Sequence, residues 1–432
     1  MTTPKTDPYW WEDFAPDTGQ TSELPAESEV VVVGAGLTGC SAARTLAMSG
    51  SEVVVLDAQR PGFGASTRNG GMIGGGYRLS LEQMTKRYGT ETAHALLRES
   101  HIDSLAFATA LIRDEAIACD FHTYGRFRGQ WNKAEYDATA RSLDRLRELV
   151  PVNIEMIPPE RQHLEVGTGL YCGGMMLHDH GGLHPAKYLN GMLSAARRAG
   201  ARIYGRTPVR AVTPSGSGFQ VITGKSTVRC RAVLMATNGY TIPDFSALKR
   251  RIIPVSSFVV ATEELSQDTI DAIMPGRRMV VETRHRHCYY RLSPDQKRFI
   301  IGGRAALSVV PQSSATPVLR GLMSEIFPQL KSAAITHSWQ GHTGFTFSFL
   351  PHVGQIDGIW HAVGFSGSGN AMAPYLGHKA AQAMIDDPAG ETAFMKTKLE
   401  TRPWYQGRPW FLPFVHALYR GHDIRDNFKR GR

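Results

Sequence analysis

Glu29-Val30-Val31-Val32-Val33-Gly34-Ala35-Gly36-Leu37-Thr38-Gly39-Cys40, a helical pattern, and then Glu52-Val53-Val54-Val55-Leu56-Asp57 decide the fold of this chain. Four consecutive valines read as a buried strand. Gly34, Gly36 and Gly39 form G-x-G-x-x-G at the turn into a helix, and a second strand ends on Asp57, 18 residues beyond Gly39. Gly34 makes the tight turn, Gly36 lets the backbone approach a pyrophosphate, and Gly39 lets the helix pack close to the strand. The helix start at Leu37 and Thr38 offers free N–H groups and a partial positive charge to that pyrophosphate. Asp57, with Ala58 beside it, is placed to accept hydrogen bonds from a ribose. A glycine-rich turn alone would say little; strand, helix, second strand and terminal acid in register point to a dinucleotide-binding unit.

At 432 residues the chain has room for two or three domains and a large core. No apolar run is long enough to span a bilayer. Residues 1–20 lack the basic start and apolar stretch of a signal peptide, so a cytoplasmic location is expected. The five cysteines, at 40, 119, 172, 230 and 288, include no C-x-x-C. Neither disulfides nor a metal site are expected from them. The net charge is +9, and residues 396–432 carry nine Lys/Arg against three Asp/Glu. No nucleic-acid-binding motif accompanies that charge. Trp404, Trp410, Phe411 and Phe414 interleave with Arg402 and Arg408 there. Such a mixture suits docking on the protein itself, on a second copy to form a homo-oligomer, or on a membrane face.

Helical periodicity runs through 80–118, 134–149, 186–199, 316–327 and 371–385. Strand patterns fall at 121–131, 202–204, 209–213, 219–222, 226–230, 232–235, 252–262, 279–282, 287–293, 298–303 and 359–363. Residues 345–355, with Pro351 and Gly354, read as a loop. Strand-glycine-helix units stand near residues 34 and 364, with a β-rich block between them. The expected division is an N-terminal arm, 1–27; a discontinuous nucleotide-binding domain, 28–105, 160–250 and 336–390; a substrate domain, 106–159 and 251–335; and a basic aromatic tail, 391–432.

Tyr9-Trp10-Trp11-Glu12-Asp13, Gly64-Ala65-Ser66-Thr67-Arg68-Asn69-Gly70-Gly71, Ala236-Thr237-Asn238-Gly239-Tyr240-Thr241, Gly302-Gly303-Arg304 and Gly364-Phe365-Ser366-Gly367-Ser368-Gly369 together resemble a known family. It is the D-amino-acid-oxidase-like group of FAD-dependent amine and amino-acid oxidoreductases, which includes glycine oxidase and sarcosine oxidase. Within it the chain is most similar to γ-glutamylputrescine oxidase-like proteins. The resemblance implies an α/β fold, with a discontinuous Rossmann-type FAD-binding domain and an inserted antiparallel-sheet substrate domain. It implies FAD at Gly34, Ala35, Gly36 and Leu37 for the pyrophosphate and Asp57 for the ribose. Gly64, Ala65, Ser66, Arg68, Asn69, Gly70 and Gly71 would follow the phosphates and ribityl chain. Val209 would face the adenine, and Thr237 and Asn238 would lie near the cofactor. The turn through Gly364, Gly367, Ser368, Gly369 and Asn370 would point a helix N-terminus at the flavin pyrimidine edge, where negative charge forms on reduction. The positions that carry a covalent attachment in some relatives are similar to Thr343 and Arg68 here, which implies non-covalent FAD. Lysines that bind a carboxylate or activate oxygen in sarcosine-type relatives align with Ala371 and Ile300. The electron acceptor is accordingly oxygen or another species.

The implied reaction is dehydrogenation of a C–N bond of an amine or amino-acid-type substrate, with hydride passing to flavin N5 and the imine hydrolysing to a carbonyl product. Candidate catalytic residues are His342 and His352, which could tune amine protonation, with Tyr290 and Arg291 on a strand of the insert. Tyr289 shares that strand, and Arg291 could bind a carboxylate bidentately. Trp339 and Phe345 are candidates for cavity walls or for core. His285 and His287, alternating with Arg284 and Arg286, read as surface residues. Two alternatives stand beside this reading: an FAD-dependent hydroxy-acid dehydrogenase, and a flavin-bearing subunit without catalysis.

Overall fold

The computed structural model describes residues 3–20, 23–77, 79–242, 244–285 and 287–430. The opening stretch lies at the centre of a six-stranded sheet in the order His352–Ile356, Ile359–Val363, Ala232–Met235, Val30–Val33, Val53–Leu56, Arg202–Tyr204. All neighbours are parallel except the first hairpin. The valine runs divide by period two. Val30, Val32, Val53 and Val55 join the core beneath the helices, whereas Val31, Val33, Val54 and Leu56 join the core beneath a three-stranded meander. A sheet covered on both faces needs both sets apolar, and this is why the runs do not alternate with polar residues.

Helix Leu37–Met48 packs between Pro185–Arg198 and Gly369–Met384. Two glycines permit this. A Cβ on Gly39 would fall 1.9 Å from the Gly34 carbonyl oxygen, and one on Gly377 would fall 2.3 Å from that of Thr38. The meander Val209–Ser215, Gly218–Thr223, Thr227–Cys230 turns at Gly216 and at 224–225.

The second body is an eight-stranded sheet in the order Ile335–Phe345, Ile253–Thr262, Phe299–Gly303, Cys288–Leu292, Met279–Glu282, Arg126–Gly129, Gly174–Leu177, Ile154–Ile157. One face carries Phe127, Phe258, Val260, Tyr290, Phe299 and Ile301 into a core closed by helix Gln312–Ile326. The other face carries Val259, Ala261, Tyr289, Ile300 and Trp339 toward the nucleotide unit.

Several expectations need correction. Residues 345–355 are not one loop: the strand Ile335–Phe345 runs into them and His352–Ile356 closes them. Strands Ile335–Phe345 and Gly174–Leu177 belong to the eight-stranded sheet, although 336–390 and 160–250 were assigned to the nucleotide domain. Helix Ser104–Asp114, assigned from residue 106 to the substrate domain, packs on Gly369–Met384. The 391–432 segment ends in a helix, Leu412–Arg430, whose inner residues Leu412, Val415 and Tyr419 pack with Phe345 and Tyr405. The N-terminal arm is pinned. Trp10 is fully buried and its Nε1 donates to the Asn69 carbonyl at 2.9 Å, while Trp11 Nε1 donates to Thr67 Oγ1 at 3.0 Å. Burial of one tryptophan removes some 150–250 Å² from water, worth roughly 4–6 kcal/mol at 25 cal/mol per Å².

Candidate active site

At the first glycine turn, Gly34 has φ +106°, and a Cβ on Gly36 would fall 2.9 Å from Ser66 Oγ. Ser66 Oγ accepts from Leu37 N at 3.1 Å. Asp57 Oδ2 accepts from Ala35 N and its Oδ1 from Gln59 N, both at 2.9 Å. These bonds aim the carboxylate at the turn and leave each oxygen a lone pair for a ribose hydroxyl. Burial pushes the Asp57 carboxyl up from its usual range, and the two amides draw it back. The small residues, the helix start and the aimed acid fit a dinucleotide. Thr38 and Gly39 are buried within the helix start, and Ala58 is exposed beside Asp57. Val209 begins the meander strand that pairs with Thr223. Thr237 Oγ1 bonds Thr241 Oγ1 at 2.8 Å.

The two glycine turns are joined directly. Asn238, with φ +43°, accepts from Gly364 N at 2.9 Å through Oδ1. Asn370, buried at the start of Gly369–Met384, donates from Nδ2 to Asn69 Oδ1 and to the Met72 carbonyl, both at 2.9 Å. Ser368 Oγ donates to the Gly76 carbonyl at 3.0 Å. These bonds hold the helix N-terminus against the 69–76 backbone, so that its orphan N–H groups open on one place.

That place is a cavity of about 950 Å³. Ala65, Arg68, Asn69 and Gly70 form one wall, and Gly367, Ser368 and Asn370 another. The inner face of the eight-stranded sheet closes it with Tyr289, Arg304, Gly341, His342, Thr343 and Phe345. Tyr289 is wedged between glycines: a Cβ on Gly70 would fall 2.4 Å from its ring and one on Gly302 2.3 Å. Phe349, His285 and Tyr419 line the cavity beside the C-terminal helix.

Of the candidate catalytic residues, His342 lines the cavity. Its backbone N donates to Tyr240 OH at 3.2 Å, the two rings lie 5.3 Å apart, and Nδ1 has no hydrogen-bond partner among the described residues. Burial, and then the Arg68 guanidinium, lower its pKa, so the imidazole is neutral at pH 7. Arg68 is held by the Phe63 and Gln340 carbonyls and lies over the Trp11 and Phe63 rings at 4.5 Å.

The other three candidates lie elsewhere. His352 stacks on His361 with centroids 5.0 Å apart and Nδ1···Nε2 at 2.9 Å, on the edge hairpin of the parallel sheet. Burial lowers both, His352 to about 4 and His361 to about 3. Tyr290 points to the opposite face of the insert sheet, where its hydroxyl meets Tyr171 OH at 3.0 Å among Phe299 and Phe327. Strand alternation decides this: Tyr289 and Arg291 share the inner face. Arg291 is spent on backbone, donating to the carbonyls of Gly71 at 2.7 Å, Leu183 at 2.9 Å and Leu292 at 2.8 Å.

His285 and His287 line the cavity, His285 exposed as a surface residue and His287 half-buried, while Arg284 is buried and paired with Glu282 at 2.7 Å and Glu325 at 3.0 Å. Arg286 lies outside the described residues. Trp339 is core, its Nε1 donating to the Arg68 carbonyl at 2.8 Å, and Phe345 lines the cavity. Sequence reading passed over Arg126, Arg128 and His101, which also line it. The alternation Arg126-Phe127-Arg128-Gly129 carries a usable signal, since period two puts both arginines on one face. The π-helical turn Glu99–Asp103 that presents His101 leaves no such pattern.

A doubly covered, mainly parallel sheet with a dinucleotide turn, facing a mixed, mainly antiparallel sheet across a large cavity, defines a nucleotide-dependent protein. Residues 29–383 match the family described as FAD dependent oxidoreductase (DAO), and the chain belongs to it. It is 31% identical over 376 residues to the probable oxidoreductase OrdL of Haemophilus influenzae, covering 83% of each chain. It is 29% identical over 403 residues to the gamma-glutamylputrescine oxidoreductase of Escherichia coli, covering 92% of each. Among solved structures, glycine oxidase from Geobacillus kaustophilus shares the fold, with TM-score 0.70, 19% identity, and 88% of this chain and 99% of that one covered. The protein is therefore an FAD-dependent oxidoreductase of mixed α/β architecture.

Proposed function

We propose that this enzyme oxidises a C–N bond of an amine or amino-acid-type substrate to an imine, which water converts to a carbonyl compound and an amine or ammonia. FAD, held without a covalent link, would supply the two-electron acceptor for the hydride that the substrate's α-carbon gives up. Gly34, Ala35, Gly36, Leu37 and Ser66 would hold its pyrophosphate and Asp57 its ribose. Gly367, Ser368 and Asn370 place a helix N-terminus on the cavity, where its partial positive charge favours a group that becomes negative on reduction. Tyr289, wedged against Gly70, limits the space above that backbone and orients the substrate. His342, neutral and half-buried, is placed to take the proton an ammonium must lose before its α-carbon can release hydride.

The observation that carries this reading is the shared chamber: cofactor-side glycines on one wall, and Tyr289 with a neutral His342 on the other. Similarity to a gamma-glutamylputrescine oxidoreductase over 92% of both chains supports an amine substrate. No helix among the described residues is long and apolar enough to cross a membrane, which accords with the proposed cytoplasmic location. The test is anaerobic mixing of purified holoenzyme with panels of amines, amino acids and hydroxy acids, following flavin absorbance. Bleaching by amines with carbonyl product supports the proposal. Bleaching by hydroxy acids alone overturns it.

A further inference from the structure

One end of the cavity holds cationic and orphaned nitrogen that the oxidation step does not use. Arg126 and Arg128 project from one side of the strand Arg126–Gly129, opposite Phe127, which is in the core. Arg126 Nε is buried and has no hydrogen-bond partner among the described residues. The charge that acts on it is Arg128, and burial together with that like charge brings it down to about 10, still cationic at neutral pH.

Two imidazoles stand beside it. His101 is presented by the π-helical turn Glu99–Asp103, pressed so close to the glycine segment that a Cβ on Gly75 would fall 1.7 Å from the Ser100 oxygen. His180 is 3% exposed, and a Cβ on Gly74 would fall 2.4 Å from its ring. Nδ1 of each is buried and without a hydrogen-bond partner among the described residues. Burial and the Arg126 charge keep both rings neutral. The carboxylates lining the cavity do not neutralise this end: Glu282 is paired with Arg284, and Glu82 is solvent-exposed. Among the described residues no carboxylate pairs with half-buried Arg126, whose own Nε and two neighbouring imidazole nitrogens are orphaned, and such groups are retained where a ligand completes them.

We infer that Arg126 and His101, which both line the cavity, form a carboxylate-binding subsite for the substrate, with His180 packed behind them. The guanidinium fork matches a planar carboxylate, and a neutral imidazole adds an N–H donor in one of its tautomers. The inference rests on the proposed C–N oxidation. It goes further by fixing where the anion lies. The Arg126 strand is two positions from the Tyr289 strand in the sheet, about 10 Å at ~4.8 Å per strand. Tyr289 abuts Gly70 and marks the reacting end. The amine and carboxylate of an α-amino acid sit on one carbon and cannot span that distance. The substrate class is therefore an extended amine whose carboxylate lies several bonds from the oxidised carbon.

Two measurements on holoenzyme test this. In calorimetry, glutarate binds the native protein, and Arg126→Gln weakens it about ten- to hundredfold, the loss expected for hydrogen bonds to a charged group. In kinetics, the ratio of kcat/KM for 5-aminopentanoate to that for pentylamine falls by a similar factor in Arg126→Gln, mainly through KM, and Arg126→Lys recovers part of it. Equal glutarate affinity in native and Arg126→Gln proteins, tighter binding of inorganic phosphate than of glutarate, or an unchanged ratio overturns the subsite. The two readings fail separately. Arg126-dependent glutarate binding without bleaching by any amine keeps the subsite and removes the C–N chemistry. Amine bleaching with Arg126-independent glutarate binding does the reverse.

Discussion

Replacing Arg291 with methionine removes a guanidinium that is 2% exposed and donates to three backbone carbonyls, at 2.7, 2.8 and 2.9 Å. Each bond from a charged donor is worth about 1.5–3 kcal/mol, so the gross loss is roughly 4–9 kcal/mol. Against this, a desolvated charge is no longer buried, which returns several kcal/mol. The Gly71 carbonyl also keeps the Leu183 N–H at 2.8 Å. The net destabilisation is about 2–4 kcal/mol. At roughly 2 cal/mol/K per residue the melting temperature falls about 2–4 °C if the chain unfolds as one unit. The carbonyl released belongs to Gly71, at φ +70° beside the cavity wall, so FAD affinity falls with stability while the KM of the holoenzyme for amines holds. The assay is thermal unfolding followed by flavin fluorescence and far-UV circular dichroism, with kinetics at saturating FAD. An unchanged melting temperature with a raised KM for carboxylate-bearing amines would refute the reasoning, because Arg291 would then be spending its charge on substrate.

Gly39→Ala forces a Cβ against the Gly34 carbonyl, 1.9 Å away on the unrelaxed backbone; the protein should purify without flavin, as read by its absorbance. Asn370→Ala breaks two partly buried hydrogen bonds, from the Gly369–Met384 helix to the Asn69 side chain and the Met72 carbonyl, and should cost about 2–4 kcal/mol in chemical denaturation, with weaker FAD retention. The His352–His361 pair has depressed folded-state pKa values of about 4 and about 3. Below about pH 6.5 the unfolded chain binds more protons than the folded one. The stability from keeping the pair neutral is thus complete above that pH and is lost on acidification toward those values. His361→Gln should lessen the fall in stability between about pH 7 and pH 4.5 by about 2–3 kcal/mol. Deleting residues 396–432 strips Leu412, Val415 and Tyr419 from Phe345 and opens the cavity beside His285. Amine turnover should then be lost, and full activity in the truncated protein would contradict the packing described.

The nucleotide unit was legible because its signals are local: a valine run, glycines at fixed spacing, and an acid at a strand end. The linked turns at 236–239 and 364–370 were equally readable in their glycines. What joins them, Asn238 to Gly364 and Asn370 to Asn69, is a long-range contact that no local pattern encodes. The strand Ile335–Phe345 was missed because Ser338, Gln340, Gly341, His342 and Thr343 dilute its apolar alternation. Gly341, His342 and Thr343 stand where the strand faces the cavity, so the site itself blurred part of the signal. Tyr290 and Arg291 were grouped with Tyr289 by proximity in sequence, but period two separates Tyr290, and a carbonyl cluster consumes Arg291. His352 failed for a different reason: its partner, His361, lies on the neighbouring strand. The tail's apolar residues were visible, yet the helix Leu412–Arg430 could be expected only by knowing that Phe345, Leu307 and Tyr405 wait beneath it.

The most direct test of the central claim is an anaerobic titration of the purified protein, with its bound flavin, by an extended carboxylate-bearing amine such as 5-aminopentanoate. The account predicts stoichiometric loss of the oxidised-flavin absorbance, with one carbonyl product formed per flavin reduced. A protein that neither carries nor takes up FAD, or whose flavin stays oxidised with every amine and bleaches with a hydroxy acid, would contradict it.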